Sequence, residues 1–266
     1  MAIMVLVSMG FVLKIKEAGK QGGMVNSLGQ VQPVVSVTVA ENQGPTETPV
    51  IKKKLSSILI LGDSMIVEGF GPRLANDLVV FPNLEVARRG KYSTGLNRRD
   101  VFDWYKETVD LVVEHKPEVL VVMFGANDSQ NILDKQGNPF GLDEPEWDEV
   151  YRERVAEYMG LVSHITEKIY WVGQPAAREV VFSERLRHLN QIYEQEAQKW
   201  ENIEYISTWE RFVGEGGKYR SVVADNEGIV KRVKTDDGIH MTNHGSKIMS
   251  RLVVEEIQND YKLDFN

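Results

Sequence analysis

A three-layer α/β/α sandwich around a five-stranded parallel sheet is the fold that two features of the sequence predict. From Ser57 onward, short apolar runs alternate with longer segments of helical periodicity, the signature of repeated strand-helix units. The runs at 57–61, 119–124 and 168–172 are nearly continuous rather than alternating, as strands covered on both faces require. Strands are expected at 57–61, 84–88, 119–124, 168–172 and 203–206. Helices are expected at 72–80, 100–115, 146–166, 183–200 and 243–261. Pro72 suits a first helical turn, where a missing N–H costs nothing. Asn243 suits an N-cap, and Ile248, Leu252, Val253 and Ile257 follow at helical spacing.

Composition narrows the function before any motif is read. Among 266 residues, 42% are hydrophobic and 26% charged, which excludes a chain disordered throughout or one with many membrane spans. The formal net charge of -8 repels phosphate backbones, so no nucleic-acid partner is expected. No cysteine is present, which removes disulfides, thiolate metal sites and cysteine nucleophiles.

The chain is expected to divide into three parts. Residues 1–16 hold an apolar run, Ala2 to Leu13, followed by Lys14 and Lys16. This run of twelve residues falls short of the roughly 20 that span a bilayer but matches a signal or anchor segment. A helix packed on the domain is the alternative. Residues 17–54, with Gly22-Gly23, Pro33, Gly44-Pro45 and Pro49, read as a flexible linker, with β-branched alternation at 34–39 allowing a short strand. Residues 55–266 form the α/β domain.

In parallel sheets, functional groups gather at the carboxyl ends of the strands. The first apolar run ends in Gly62-Asp63-Ser64, which presents a hydroxyl on a turn at the sheet edge. The third ends near Gly125-Ala126-Asn127-Asp128, which places an amide donor at the same edge for a developing oxyanion. Near the carboxyl terminus, Asp237-Gly238-Ile239-His240 offers an imidazole to take a serine proton and a carboxylate to fix its tautomer. Each tripeptide alone is commonly a turn or a cap.

Together and in this order, these residues resemble the SGNH (GDSL-type) hydrolases, whose fold is flavodoxin-like. The resemblance runs over about residues 57–262. Ser93-Thr94-Gly95-Leu96, Trp171 to Arg178, and Arg232 upstream of Asp237 are similar to the DUF459 branch, whose bacterial members are mostly envelope proteins. The resemblance implies Ser64 as nucleophile, His240 as general base and Asp237 as its orienting carboxylate. It also implies an oxyanion hole from the Ser64 N–H, the Asn127 amide and a glycine N–H. Gly95 and Gly90 both fit that glycine, with Gly95 preferred. Asp63, Asp128, Gln174 and Arg178 are expected to contact substrate, a surface salt bridge being the equal alternative for Arg178, with Trp171 lining the same cleft.

The other histidines carry less. His244 lies four residues after His240, but no His-Glu-x-x-His pattern exists, so no metal is expected. His115, His164 and His188 read as structural. Loops are expected at 135–147, over the site, and at 212–230. The reading is a cofactor-free serine esterase that removes an acyl group, acetyl first, from a carbohydrate or other envelope ester. An acyltransferase with the same triad and a non-catalytic binding module are the alternatives. The partners expected are a small-molecule or polysaccharide ester and, through the N-terminus, a membrane. No Gly-x-Ser-x-Gly elbow, dinucleotide turn or phosphate loop occurs in the sequence.

Overall fold

The computed structural model describes residues 52–263. The segments expected at 1–16 and 34–39, and most of the expected linker, lie outside the described residues. Five strands form the central sheet: β1 (Ser57–Gly62), β2 (Glu85–Gly90), β3 (Val119–Met123), β4 (Lys168–Val172) and β5 (Ile203–Ile206). All pair in parallel, in the order β2-β1-β3-β4-β5. The helices are α1 (Ser64–Val67), α2 (Phe70–Leu78), α3 (Trp104–His115), α4 (Pro145–Ile165), α5 (Val180–Ala197), α6 (Trp209–Phe212) and α7 (Asn243–Asp260).

Strand periodicity divides the core in two. Ile58 and Ile60 of β1 join Val119 and Val121 of β3 on one face, under Leu74 and Leu78 of α2 and Met249 and Val253 of α7. Leu59 and Leu61 join Leu120 and Val122 on the other, under Trp104, Tyr158 and Leu189 of α3, α4 and α5. These side chains are essentially removed from water, each contributing roughly 1.5–3 kcal/mol by burial. The three-layer sandwich expected from the sequence is therefore present.

Several boundaries differ from expectation for local reasons. α3 begins at Trp104 rather than near Asp100, because the Asp103 carboxylate accepts from the Tyr105 and Lys106 N–H groups and caps the helix. α5 begins three residues early, capped by Glu179 through Val181 and Phe182. α7 is capped by Thr242, whose hydroxyl accepts from Gly245 N–H, so Asn243 is its first helical residue and not the cap. The expected linker also ends too late, since Lys53–Lys54 pairs in parallel with Tyr261–Lys262. The segments expected as loops hold antiparallel ribbons, Ile132–Leu133 with Pro139–Phe140 and Val222–Ala224 with Val230–Arg232. Among the described residues, no helix is long and apolar enough to cross a membrane.

At the carboxyl end of β1, Gly62 sits between Gly90 of β2 and Met123 of β3. A Cβ on Gly62 would lie 2.0 Å from the Met123 carbonyl oxygen, so only glycine lets the chain turn there. Gly62→Ala is therefore expected to cost at least about 2 kcal/mol of stability, read from a urea unfolding midpoint. An unchanged midpoint would show that the strand end relaxes freely.

Candidate active site

The strand order reverses direction on leaving β1, so the crevice between the carboxyl ends of β1 and β3 is the topological switch point, where open α/β sheets bind ligands. Ser64 follows β1, and Asn127 follows β3. Asp63 ends the strand by donating its N–H to Met123 O at 3.3 Å and caps α1 by accepting from Met65 N–H at 2.9 Å. Ser64 is consequently the first residue of a helical turn, where a backbone N–H has no intrahelical acceptor. This turn is too short for sequence periodicity to reveal.

His240 brings the third group. Its Nε2 lies 2.8 Å from Ser64 Oγ and its Nδ1 2.6 Å from Asp237 Oδ2. The other Asp237 oxygen accepts from the Ile239 N–H at 2.8 Å, the His240 N–H at 3.0 Å and the Thr235 hydroxyl at 2.7 Å. Partial burial pushes the Asp237 pKa up, but these hydrogen bonds and the imidazole outweigh it and hold the carboxyl well below the usual range. An ionised Asp237 accepts at Nδ1–H, which leaves the unprotonated Nε2 facing the Ser64 hydroxyl. A second carboxylate, Glu68, stands 3.6 Å from the same Nε2.

The opposite wall is the 94–97 loop. Asn127 Nδ2 donates to Thr94 O at 3.0 Å, leaving its second N–H free of that bond. Asp128 accepts from Leu96 N–H at 3.1 Å, Asn97 N–H at 2.8 Å and Tyr151 OH at 2.7 Å, and Tyr151 OH meets Tyr193 OH at 2.7 Å. The Gly95 N–H is not among those that Asp128 takes. A Cβ on Gly95 would lie 2.1 Å from Asp128 Oδ1, so the close approach of loop and carboxylate depends on that glycine. Gly90 instead lies within β2, where a Cβ would strike Val67 N at 2.6 Å. Gly95, not Gly90, is the glycine held beside Asn127.

The residues expected to contact substrate are spent elsewhere. Asp63, Asp128 and Gln174 are 0%, 1% and 2% exposed. The Gln174 amide donates to Phe124 O at 2.8 Å, and its backbone exchanges hydrogen bonds with the Asn190 side chain. Trp171 is fully buried in the core. Arg178 is exposed, but its guanidinium donates to Asp236 O at 2.9 Å and Thr235 O at 2.8 Å, bracing the turn that carries Asp237. Asp63, Asp128, Gln174 and Trp171 are thus packed inside the protein, while Arg178 stays exposed. His244 donates to Val223 O at 2.9 Å, and His188 pairs with Asp148 at 2.6 Å, a partner 40 positions away that spacing could not reveal. A groove of about 500 Å³ lined by Ser129, Trp147, Asp148, Val181, Arg185 and His188 contains none of the residues joined to Ser64.

A family model described as "Protein of unknown function (DUF459)" matches residues 57–256. The chain belongs to the DUF459 family. No curated protein matches its sequence significantly. Among solved structures, this DUF459 protein is similar to an acetylxylan esterase from Geobacillus stearothermophilus, with 17% identity, 80% of this chain and 98% of that one covered, and a TM-score of 0.54. It is similar to a GDSL-like lipase from Bacteroides thetaiotaomicron, with 16% identity, coverages of 77% and 88% and a TM-score of 0.53. An alpha/beta hydrolase from the metagenome of Lake Arreo in Spain gives 13% identity, coverages of 79% and 98% and a TM-score of 0.56. The likeness at these identities is one of fold.

Asp63 makes the DUF459 site sensitive to pH. Its Oδ2 is buried with no hydrogen-bond partner, and burial, reinforced by the charge on Asp128, pushes its pKa up to about 7 from 3.8. Between those two values the folded state keeps a proton that the unfolded chain has lost, so stability falls as pH rises through that window and levels above it. Asp63→Asn keeps a capping oxygen and removes the titration. Its urea midpoint is expected to gain on the parent's from about pH 4 to about pH 7 and to keep a constant gap above. A gap independent of pH would show that Asp63 stays ionised in the fold.

Proposed function

We propose that this chain is a serine ester hydrolase in which Ser64 is the nucleophile, His240 the general base and Asp237 the residue that fixes the imidazole. The observation that carries the reading is the continuous Ser64-His240-Asp237 hydrogen-bond chain, 2.8 and 2.6 Å in its two links. Ser64 Oγ attacks the ester carbonyl while its proton passes to His240 Nε2. The carbonyl oxygen becomes an oxyanion that accepts from the Ser64 N–H, the Gly95 N–H and the Asn127 amide. As the carbon-oxygen bond to the alcohol breaks, Nε2–H returns its proton to the leaving oxygen. The acyl-serine is then cleaved by a water that the same imidazole deprotonates.

The substrate proposed is a short acyl ester, acetyl first, of a carbohydrate or other envelope component. The fold shared with an acetylxylan esterase and a GDSL-like lipase supports ester chemistry, and the choice of acetyl follows the first of these. The envelope setting rests on the apolar run at Ala2 to Leu13.

Acetyl release from a short-chain aryl ester and from O-acetylated sugars tests the reading. Ser64→Ala is expected to abolish release while keeping the parent's unfolding midpoint. Asn127→Ala is expected to lower kcat by roughly 10²-fold, as loss of one oxyanion donor does. Full activity in folded Ser64→Ala protein would remove Ser64 from the reaction.

A further inference from the structure

Lys234 is a lysine where lysine is rarely found. It is 1% exposed and makes no ion pair among the described residues. Its Nζ donates to the carbonyl oxygen of Ile239 at 2.6 Å. Burial pushes the ammonium down to about 7, only partly offset by the charge on Asp237. A buried ammonium opposite a single backbone carbonyl destabilises a fold, so packing alone does not explain it; a methionine would fill the same space.

What this contact acts on is the peptide between Ile239 and His240. In a trans peptide the C=O and N–H point in opposite directions. Here the N–H of His240 donates to Asp237 Oδ1 at 3.0 Å, and the C=O of Ile239 accepts from Lys234. The peptide plane is thus held at both ends. The next carbonyl, of His240 itself, accepts from Thr235 N–H at 2.9 Å, and Lys234 bridges to Met241 across the turn.

We propose that Lys234 is a positioning residue for His240: its amino group, donating to Ile239 O, fixes the 239–240 peptide from the side opposite Asp237 and thereby sets the direction in which the imidazole leaves the backbone. This rests on the reading of His240 as the base for Ser64. Without the contact, the plane rotates about its remaining hydrogen bond, and Nε2 drifts from Ser64 Oγ. A displacement of about 1 Å in a catalytic group costs up to roughly 10²-fold in rate.

The test compares the full-length parent protein with Lys234→Met, which keeps the stem and removes the donor, and with Lys234→Gln, which returns a neutral donor one atom short. Two readouts are followed: kcat and KM on a short-chain aryl ester, and the far-downfield proton resonance of His240 Nδ1–H against Asp237. Lys234→Met is expected to lose roughly 10-fold or more in kcat with KM unchanged, and to broaden or lose the resonance. Lys234→Gln is expected to recover part of both. A folded Lys234→Met protein with parental kcat and a sharp resonance would overturn the proposal. If Lys234→Met does not fold, Lys234→Gln decides: parental values in both readouts contradict the positioning role, and a partial loss of both supports it. The resonance needs no turnover, so absence of esterase activity in the parent bears on the proposed function and leaves this test intact.

Discussion

The molecule depends on one geometric constraint, the gap at the carboxyl ends of β1 and β3. Because β1 pairs with β2 on one side and β3 on the other, the chain leaving β1 and the chain leaving β3 diverge toward different helices. Gly62 lets β1 end in contact with Met123, and Asp63 turns the chain at once into α1, so that Ser64 faces this gap. The two hydrophobic layers, joined by strands buried on both faces, supply the rigidity that a hydrogen-bonded site of this kind needs.

Three aspartates show how environment divides the work of one residue type. Asp237, near the surface, collects hydrogen bonds from the backbone and from His240, which stabilise its charge. Asp128 is buried but accepts three donors, and it serves as the fixed point on which the Gly95 loop folds. Asp63 is buried with one oxygen unpartnered, and burial favours its neutral form up to about pH 7. Asp237 and Asp128 are both anchored in backbone N–H groups rather than in flexible cations.

The legible part of this structure is what is local in sequence. The five strands, with Ser64 and Asn127 just beyond two of them, follow from apolar runs and the residues that end them, while Asp237 and His240 are legible through the Asp-x-x-His spacing that resembles the SGNH hydrolases. The choice between Gly95 and Gly90 does not, because it turns on which glycine approaches Asp128, a contact more than 30 positions away. Reading Asp63, Asp128 and Gln174 as substrate contacts failed for a related reason: a polar residue beside a catalytic motif can be spent on holding the motif, and only burial distinguishes the two. Lys234 was invisible because lysine is expected in water. α1 was missed because four residues show no period.

The proposed nucleophile, Ser64, is the centre of this picture, and an alkyl fluorophosphonate tests it without knowledge of the substrate. Intact-mass measurement followed by peptide mapping reports where the phosphonyl group attaches. One adduct per chain, on the peptide carrying Ser64, is the expected result. A folded protein that takes up no phosphonate, or takes it up at another serine, would contradict an activated Ser64.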